Sequence, residues 1–143
     1  MSTSLNKLIN NLKPNQFNHV RQIFGDDCEL LLRKGIFPYD WFDSFEKLIE
    51  TQLLPKETFY SKLNNSKISD EDDEFAQKVW EIYGCKTCRD YHDLYMKLDA
   101  LLLTDAFENF RSVCMKHYEK RDPCWYYTAL GLAWDACLKE SKI

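Results

Sequence analysis

The sequence is poor in chain breakers, with only 4 glycines and 4 prolines among its 143 residues. This scarcity excludes a glycine- or proline-rich low-complexity chain, and no glycine-rich phosphate-binding loop occurs. Hydrophobic residues make up 45% and aromatic residues 15% of the chain. Such a composition is typical of a packed, mainly helical protein, and one domain is the default at this length.

Long apolar runs and an excess of positive charge are also absent. No stretch of about 18 apolar residues could span a bilayer, and the N-terminus has neither a signal core nor an Arg-rich transit pattern. We therefore expect an intracellular protein without membrane contact. The chain has 19 basic and 23 acidic residues, and its net charge of −4 would repel a phosphate backbone. Composition alone argues against tight DNA binding.

The six cysteines are scattered through apolar helical surroundings, which indicates free thiols. Cys85-x-x-Cys88 followed by His92 leaves two further interpretations open. One is a zinc site with Cys114 or His117 as fourth ligand, although no second ligand pair stands at a usual spacing. The other is a redox pair at a helix start, although the strand of a thioredoxin-like site is missing.

Apolar residues recur at helical spacing along the chain, and no credible alternating strand occurs. The first half predicts five short helices: one capped by Ser4, one ending at Gly25, one ending at Gly35, one capped by Asp40 that carries Phe42, Phe45, Leu48 and Ile49, and one beginning near Pro55 that carries Phe59, Tyr60 and Leu63.

Two capping boxes predict longer helices in the second half. Ser69 with Asp72 starts a helix that ends at Gly84, and Thr87 with Asp90 starts the longest element, which ends near His117. The apolar stripe of that element is Tyr91, Leu94, Tyr95, Leu98, Leu102, Phe110 and Val113. Asp122 and Pro123 break the pattern, and a last helix covers residues 128–139.

Asp99 interrupts the apolar stretch of the longest helix, and Tyr95 lies four residues before it on the same face. Burying an unpaired charge is costly, so such a carboxylate needs a hydrogen-bond donor, a cation or a metal ion. A structural interpretation places Asp99 at the edge of the stripe, beside Lys97, Lys116 or a capping amide. A functional interpretation gives the carboxylate to a metal ion.

The spacing Tyr95-x-x-x-Asp99 resembles the third exonuclease motif of family B DNA polymerases. Five ordered segments extend the likeness over nearly the whole chain: KGIFPYDWFDSFEK, ETQLLPKETFYSKL, ISDEDDEFAQKVWEIYGCKT, DYHDLYMKLDALLLTDAFENFR and YYTALGLAWDACLK. Together they resemble the protein-primed polymerases of Maverick or Polinton transposons and related linear DNA viruses.

The resemblance implies a ribonuclease H-like α/β exonuclease domain whose sheet lies upstream and is missing here. The isolated chain would then be mainly α. Residues 1–121 would be the C-terminal part of the exonuclease-like domain, and residues 122–143 would begin the palm-side polymerase region. The apolar faces that would cover the missing sheet predict marginal stability or self-association.

Such exonucleases use four carboxylates to hold two divalent metal ions, Mg²⁺ or Mn²⁺. The resemblance makes Asp99 the fourth carboxylate and a metal ligand, and Tyr95 the residue that orients the attacking water or the scissile phosphate. The three partner carboxylates are missing, because Asp72 to Glu74 reads DDE but lies after the point where the first motif belongs. We therefore expect an inactive chain that binds no cofactor firmly.

The resemblance also names partners of the intact enzyme: DNA, deoxynucleotides and a terminal priming protein, in the nucleus if the element is a eukaryotic transposon. The alternative is a non-catalytic helical protein-interaction module or a decayed transposon remnant. Four tryptophans could stack on single-stranded bases, although aromatic residues at helical spacing are mostly core residues. They are Trp41, Trp80, Trp125 and Trp134.

Overall fold

The computed structural model describes residues 4–26, 28–62, 65–118 and 120–141. Within these ranges the chain is mainly helical and forms no strand; Ser61 and Ser66 make one isolated antiparallel bridge. The mainly α class is thereby confirmed. None of the described helices has the length and hydropathy that crossing a bilayer requires. The α-helices are α1 (Leu5–Ile9), α2 (Asn18–Phe24), α3 (Asp70–Ile82), α4 (Cys88–His117) and α5 (Ala129–Glu140).

The 30-residue helix α4 runs through the centre of the molecule, and α1 and α2 pack along it. One face of α4 buries Tyr91, Leu98 and Leu102 against apolar side chains from the rest of the chain. These partners are Ile9, Phe17, Val20, Cys28, Leu31, Phe59, Phe75, Ala76 and Val79. Burial of this stripe stabilises the helix more than propensity does, since isolated helices are marginal in water.

Both predicted N-terminal caps of the long helices are present. Thr87 and Asp90 form the reciprocal capping box of α4, which leaves its first amides satisfied. Ser69 caps α3 through the amide of Asp72, at 3.1 Å, but the carboxylate of Asp72 binds Arg33 at 2.7 Å. The capping box at α3 is therefore only half formed, because the guanidinium of Arg33 binds the Asp72 carboxylate that would otherwise bond the N-cap amide. Gly84 ends this segment with a φ of 62°, the left-handed conformation that glycine adopts without strain.

Helical turns form in all five predicted segments of the first half, but most differ from the prediction in form or extent. α1 ends at Ile9, and three predicted α-helices are single turns of 3₁₀-helix: Glu29–Leu31, Phe45–Ile49 and Lys56–Phe59. None of the three has a side-chain cap. Segments this short cannot recover the cost of nucleating an α-helix unless a cap or a long packed face supports them. Leu63, predicted in the last of these helices, lies outside the described residues.

The cap predicted at Asp40 is wrong. Its carboxylate accepts the backbone amide of Lys62 at 2.8 Å, so it ties two loops together. The following helix begins only at Phe45, after Ser44. Phe42, predicted within that helix, lies before it and stacks on Phe37, with ring centroids 4.9 Å apart. Tertiary contact between aromatic rings has outweighed local helix propensity in this segment.

The C-terminal part begins where α4 ends. Asp122 caps a 3₁₀ turn over Pro123–Trp125, and Thr128 caps α5 through the amide of Gly131. Arg111 of α4 donates to both carboxylate oxygens of Asp122, which fixes the connector against the helix. The domain boundary predicted between residues 121 and 122 falls in this connector and stays a prediction.

Candidate functional site

The candidate site lies on the N-terminal half of α4, where Tyr95 and Asp99 are one helical turn apart. The hydroxyl of Tyr95 donates to Oδ2 of Asp99 at 3.0 Å. The hydroxyl of Tyr39, from the loop before the 3₁₀ turn Phe45–Ile49, hydrogen-bonds the hydroxyl of Tyr95. A chain of three groups therefore runs from a half-exposed loop tyrosine to the carboxylate. Sequence reasoning named Tyr95 and Asp99 and missed Tyr39.

The second oxygen of Asp99 has no partner. Oδ1 is buried, and no described residue donates a hydrogen bond to it. Among the described residues, neither Lys97, Lys116 nor a capping amide bonds Asp99, and its hydrogen bond comes from Tyr95. Leaving a carboxylate oxygen buried without a donor costs about 1–3 kcal/mol. An oxygen in this state is open to an ordered water molecule, an ion or another chain segment.

The Tyr95 ring is held in place by its neighbours. Phe37 stacks on it with centroids 4.8 Å apart, and Gly35 approaches so closely that an added Cβ would lie 2.8 Å from Tyr95 Cδ2. Burial raises the pKa of the Tyr95 phenol, and the neighbouring carboxylate of Asp99 acts in the same direction. The group is therefore a proton donor to Asp99 at any physiological pH, and it positions the carboxylate through a fixed ring.

An aromatic groove of about 380 Å³ opens beside this hydrogen-bonded chain. Its walls are mostly apolar, and Tyr39 contributes to both the groove and the chain. Three polar side chains stand among the lining residues, which are Phe37, Tyr39, Phe42, Asp43, Ser44, Phe45, Leu48, His92 and Met96. The sequence signal for this groove is the aromatic density of residues 37–45, of which the periodicity assigns Phe42 and Phe45 to a helix.

The same helix carries a second buried carboxylate that sequence reasoning missed. Asp105 is 1% exposed and accepts the backbone amides of His19 at 2.8 Å and Val20 at 3.1 Å, and Nδ1 of His19 lies 2.8 Å away. It caps α2 from a distant helix, since Phe17 at the N-cap position has no side-chain acceptor. An Asp in the apolar run LLLTDAF was the available signal. Asp105 is fully partnered, in contrast to Asp99.

The zinc and redox interpretations of Cys85 and Cys88 find no support. Among the described residues no group of three or more His, Cys, Asp or Glu side chains is arranged to hold a metal ion. Burial raises the pKa of the Cys85 thiol and raises that of Cys88 to about 11, so both stay protonated at neutral pH. A reactive thiol needs the opposite shift. His92, which the zinc interpretation required, bonds Asp93 instead.

The four tryptophans divide into two pairs. Trp80 packs on Tyr91, and Trp41 lies under the ammonium of Lys47, which is 4.7 Å from its ring centroid. Trp125 and Trp134 are exposed by 86% and 65%. The expectation that aromatic residues at helical spacing belong to the core therefore fails for the C-terminal pair: Trp125 lies in the 3₁₀ turn before α5, and Trp134 lies on an exposed side of α5.

No family model, curated protein or solved structure matches the chain.

Proposed function

We propose that this chain is the helical portion of a ribonuclease H-like 3′–5′ exonuclease domain from a protein-primed family B DNA polymerase. In that enzyme it would serve proofreading during DNA replication. The observation that carries the proposal is the state of Asp99. Tyr95 holds one of its oxygens, and the other is buried and free among the described residues. A carboxylate prepared in this way is suited to receive a ligand from a second segment.

The chemistry of Asp99 fits a hard divalent cation. Mg²⁺ and Mn²⁺ prefer carboxylate oxygens, and Mg²⁺ takes about six oxygen ligands, so Asp99 alone could supply only a small part of the shell. Asp99 would hold such an ion through Oδ1, and Tyr95 would keep the carboxylate oriented through Oδ2. When bound, a metal pair activates water and stabilises a departing 3′ oxygen. The remaining carboxylates would come from another segment.

A surface on α4 beside Asp99 supports docking of that segment. Five small or apolar residues follow one another at spacings of four and three along the helix, and all are exposed: Met96, Ala100, Leu103, Phe107 and Phe110. This spacing forms a continuous apolar stripe, which a helix keeps when it packs against a neighbour. A sheet that covered this stripe would bring its own side chains close to Asp99. The upstream sheet of the proposed parent domain is such a partner.

Sequencing of the transcript and of the DNA flanking this reading frame tests the origin of the chain. We expect an in-frame Asp-x-Glu motif upstream and the Asp-bearing polymerase motifs downstream. Flanks that encode neither motif in any frame would contradict the proposal. Motifs interrupted by stop codons and frameshifts would identify the chain as a decayed transposon remnant in which Tyr95 and Asp99 no longer serve catalysis.

The role of Asp99 is tested in the longer protein that such flanks encode. Asp99→Ala should lower Mg²⁺-dependent removal of 3′-terminal nucleotides by at least about 100-fold and leave DNA synthesis intact. Tyr95→Phe, which keeps the ring and loses the hydroxyl, should cause a smaller loss. Asp93→Ala is the matched control, because Asp93 is an exposed carboxylate on the same helix. An unchanged exonuclease rate in Asp99→Ala would refute the assignment.

The chain by itself should not digest DNA. One carboxylate cannot hold two metal ions, so we expect single-stranded DNA to remain intact with Mg²⁺ or Mn²⁺. Digestion that disappears in Asp99→Ala would show that the chain completes a nuclease site without another segment.

A second candidate function is a non-catalytic helical interaction module. The exposed apolar side chains of α5 favour it, because contiguous exposed apolar surface marks interaction sites. A transcript that ends with this reading frame and has no polymerase motifs in its flanks would support the module over the polymerase.

A further inference from the structure

The connector after α4 and helix α5 are tied to each other by their own hydrogen bonds. Asp135 of α5 accepts the phenol of Tyr126 at 2.9 Å and the guanidinium of Arg121 at 3.1 Å. Both donors belong to the connector. Asp122 accepts the amide of Cys124 at 3.0 Å and so caps the 3₁₀ turn that follows it. Residues 121–140, joined in this way, are here called the C-terminal arm.

The arm packs on the rest of the chain through little apolar area. All twelve residues of α5 are described, and Leu132 is the one that is buried. Leu132 and Pro123 line a groove of about 180 Å³ with Phe107 and Phe110 of α4, which stay 41% and 48% exposed. The main core cluster includes residues of α1, α2, α3 and α4 and no described residue of the arm. The arm therefore lies outside the cooperative core.

An ion pair holds the start of the arm against α4. Nε of Arg111 donates to Oδ1 of Asp122 at 3.0 Å and to Oδ2 at 2.9 Å, and Nη2 donates to Oδ2 at 2.6 Å. Bonds between two charged groups in this forked geometry are stronger than neutral ones. The turn between α4 and this pair contains Lys120 at a φ of 63°, a conformation that is uncommon outside glycine. Such a turn at the end of an element is a place where a hinge can lie.

Cys114 of α4 lies close to this ion pair. The residue is 1% exposed, yet it does not belong to the main core cluster. Burial raises the pKa of the Cys114 thiol, and the nearby carboxylate of Asp122 acts in the same direction. The burial of Cys114 thus depends on local neighbours, and the start of the arm is one of them.

We propose that the C-terminal arm is a hinged strap that leaves α4 as one unit while the core stays folded. Breaking the Arg111–Asp122 pair releases it, and the open arm uncovers Cys114 together with the rings of Phe107 and Phe110. Because these two rings end the exposed apolar stripe of α4, opening enlarges the area that a partner can cover. Local opening is expected where few apolar contacts hold a segment. The opening does not depend on the proposed nuclease function.

Thiol labelling of the folded chain measures this opening. Cys114 and Cys28 are both buried, and burial raises the pKa of both thiols, so they form a matched pair of reporters. Cys28 belongs to the main core cluster and becomes reactive only when the core opens. With iodoacetamide and peptide mass spectrometry, Cys114 should label at least about tenfold faster than Cys28. Its rate should also depend less on urea, since arm opening exposes less surface than unfolding does.

Two variants of the contacts to α4 test the role of the arm. Arg111→Met should raise the labelling rate of Cys114 at least about fivefold and leave that of Cys28 unchanged. Leu132→Ala, which removes apolar contact and leaves the ion pair in place, should act in the same direction. Lys78→Met is the matched control, because Lys78 forms an exposed pair with Glu74 on α3. Helix content from circular dichroism checks the fold of each variant.

Amide hydrogen exchange shows whether α5 leaves together with the connector. A helix of twelve residues is marginal in water once released, so its amides should exchange from the open arm. Their protection should be closer to that of Cys114 than to that of the core, and Arg111→Met should lower it. Equal labelling of Cys114 and Cys28 with the same urea dependence would overturn the proposal. So would a Cys114 rate unchanged in both variants, or exchange of α5 amides while Cys114 stays as protected as Cys28.

Discussion

At the residue scale, two aspartates on one helix have opposite surroundings. Asp105 accepts two backbone amides and contacts His19, and every one of these bonds serves the packing of α2 on α4. Asp99 accepts one hydrogen bond from the Tyr95 phenol at Oδ2, and its buried Oδ1 has no donor among the described residues. The first arrangement stabilises the fold, whereas the second is a cost that a functional site tolerates.

Substituting the two aspartates should therefore give unequal losses of stability. Asp105→Ala should lower the free energy of unfolding by about 2–4 kcal/mol, since two buried amides lose their acceptor. Asp99→Ala should change it by less than about 1 kcal/mol or raise it, because the unpaired oxygen is removed and Tyr95 keeps its bond to Tyr39. Urea denaturation measures both. Equal losses in the two variants would show that Asp99 is a structural residue.

Gly35 sets the position of the Tyr95 ring, and a side chain there should disturb it. Gly35→Ala places a Cβ 2.8 Å from Tyr95 Cδ2, so the ring or the loop must move. We expect a loss of about 1–3 kcal/mol of stability from this overpacking. The loss should shrink in a Tyr95→Ala background, as a double-mutant cycle detects. Gly131→Ala, whose Cβ would lie 3.4 Å from Thr128 Oγ1 within α5, is the control and should not lower stability.

At the element scale, α4 organises the molecule because it offers different sides to different partners. Its apolar side packs on α1 and α2. The carboxylate of Asp105 caps α2, and Arg111 binds Asp122 in the connector that leads to α5. The capping box at Thr87 and Asp90 and the basic residues of the last turn, Lys116 and His117, suit the two ends of the helix dipole.

The contact between α4 and the connector should be sensitive to acid. The hydrogen bonds from Arg111 lower the pKa of Asp122 from 3.8 to about 2. A carboxyl with a depressed pKa in the folded state stabilises it above its unfolded pKa, so this stability is present above about pH 4 and is lost as pH falls through about 2. Arg111→Met should therefore destabilise the chain at neutral pH, and the difference from the unsubstituted chain should narrow between pH 4 and pH 2.

Thermal unfolding at each pH measures this effect. Lys78→Met is the control, because Lys78 and Glu74 form an exposed pair at 3.8 Å that should contribute little. A stability difference for Arg111→Met that stays constant from pH 7 to pH 2 would show that the Arg111–Asp122 pair does not stabilise the connector.

At the scale of the whole molecule, apolar surface remains exposed on α4 and α5 after the core has formed. The stripe from Met96 to Phe110 lies beside Asp99, and Leu130 and Trp134 expose further apolar area on α5. Large exposed apolar surface lowers the solubility of a monomer and favours association. The chain should therefore gain stability from any partner that covers either surface.

This gain should appear as a dependence of the unfolding temperature on protein concentration. Association that involves only the folded state raises Tm by mass action, so Tm should rise with each tenfold increase in concentration. Leu130→Glu should weaken the dependence. A monodisperse monomer with a cooperative transition at high temperature and a constant Tm would contradict both the predicted marginal stability and the predicted self-association.

Local signals in the sequence were sufficient for the long helices. The caps at Ser69 and Thr87 and the stop at Gly84 use hydrogen bonds or backbone conformations within four residues, so the sequence determines them nearly independently of the rest of the chain. The same holds for the pairing of Tyr95 with Asp99, which helix geometry alone brings together.

Only the tertiary structure decided the features that join distant segments. Tyr39 meets Tyr95 across 56 residues, and Asp105 meets Val20 across 85. Periodicity also could not show that Phe110 and Val113 face solvent, because an apolar stripe predicts a buried face without naming the partner that buries it. The sequence by itself thus determined the long helices and the Tyr95–Asp99 pair. Packing decided that Asp105 is fully hydrogen-bonded, that one oxygen of Asp99 has no donor, and that apolar side chains of α4 and α5 stay exposed.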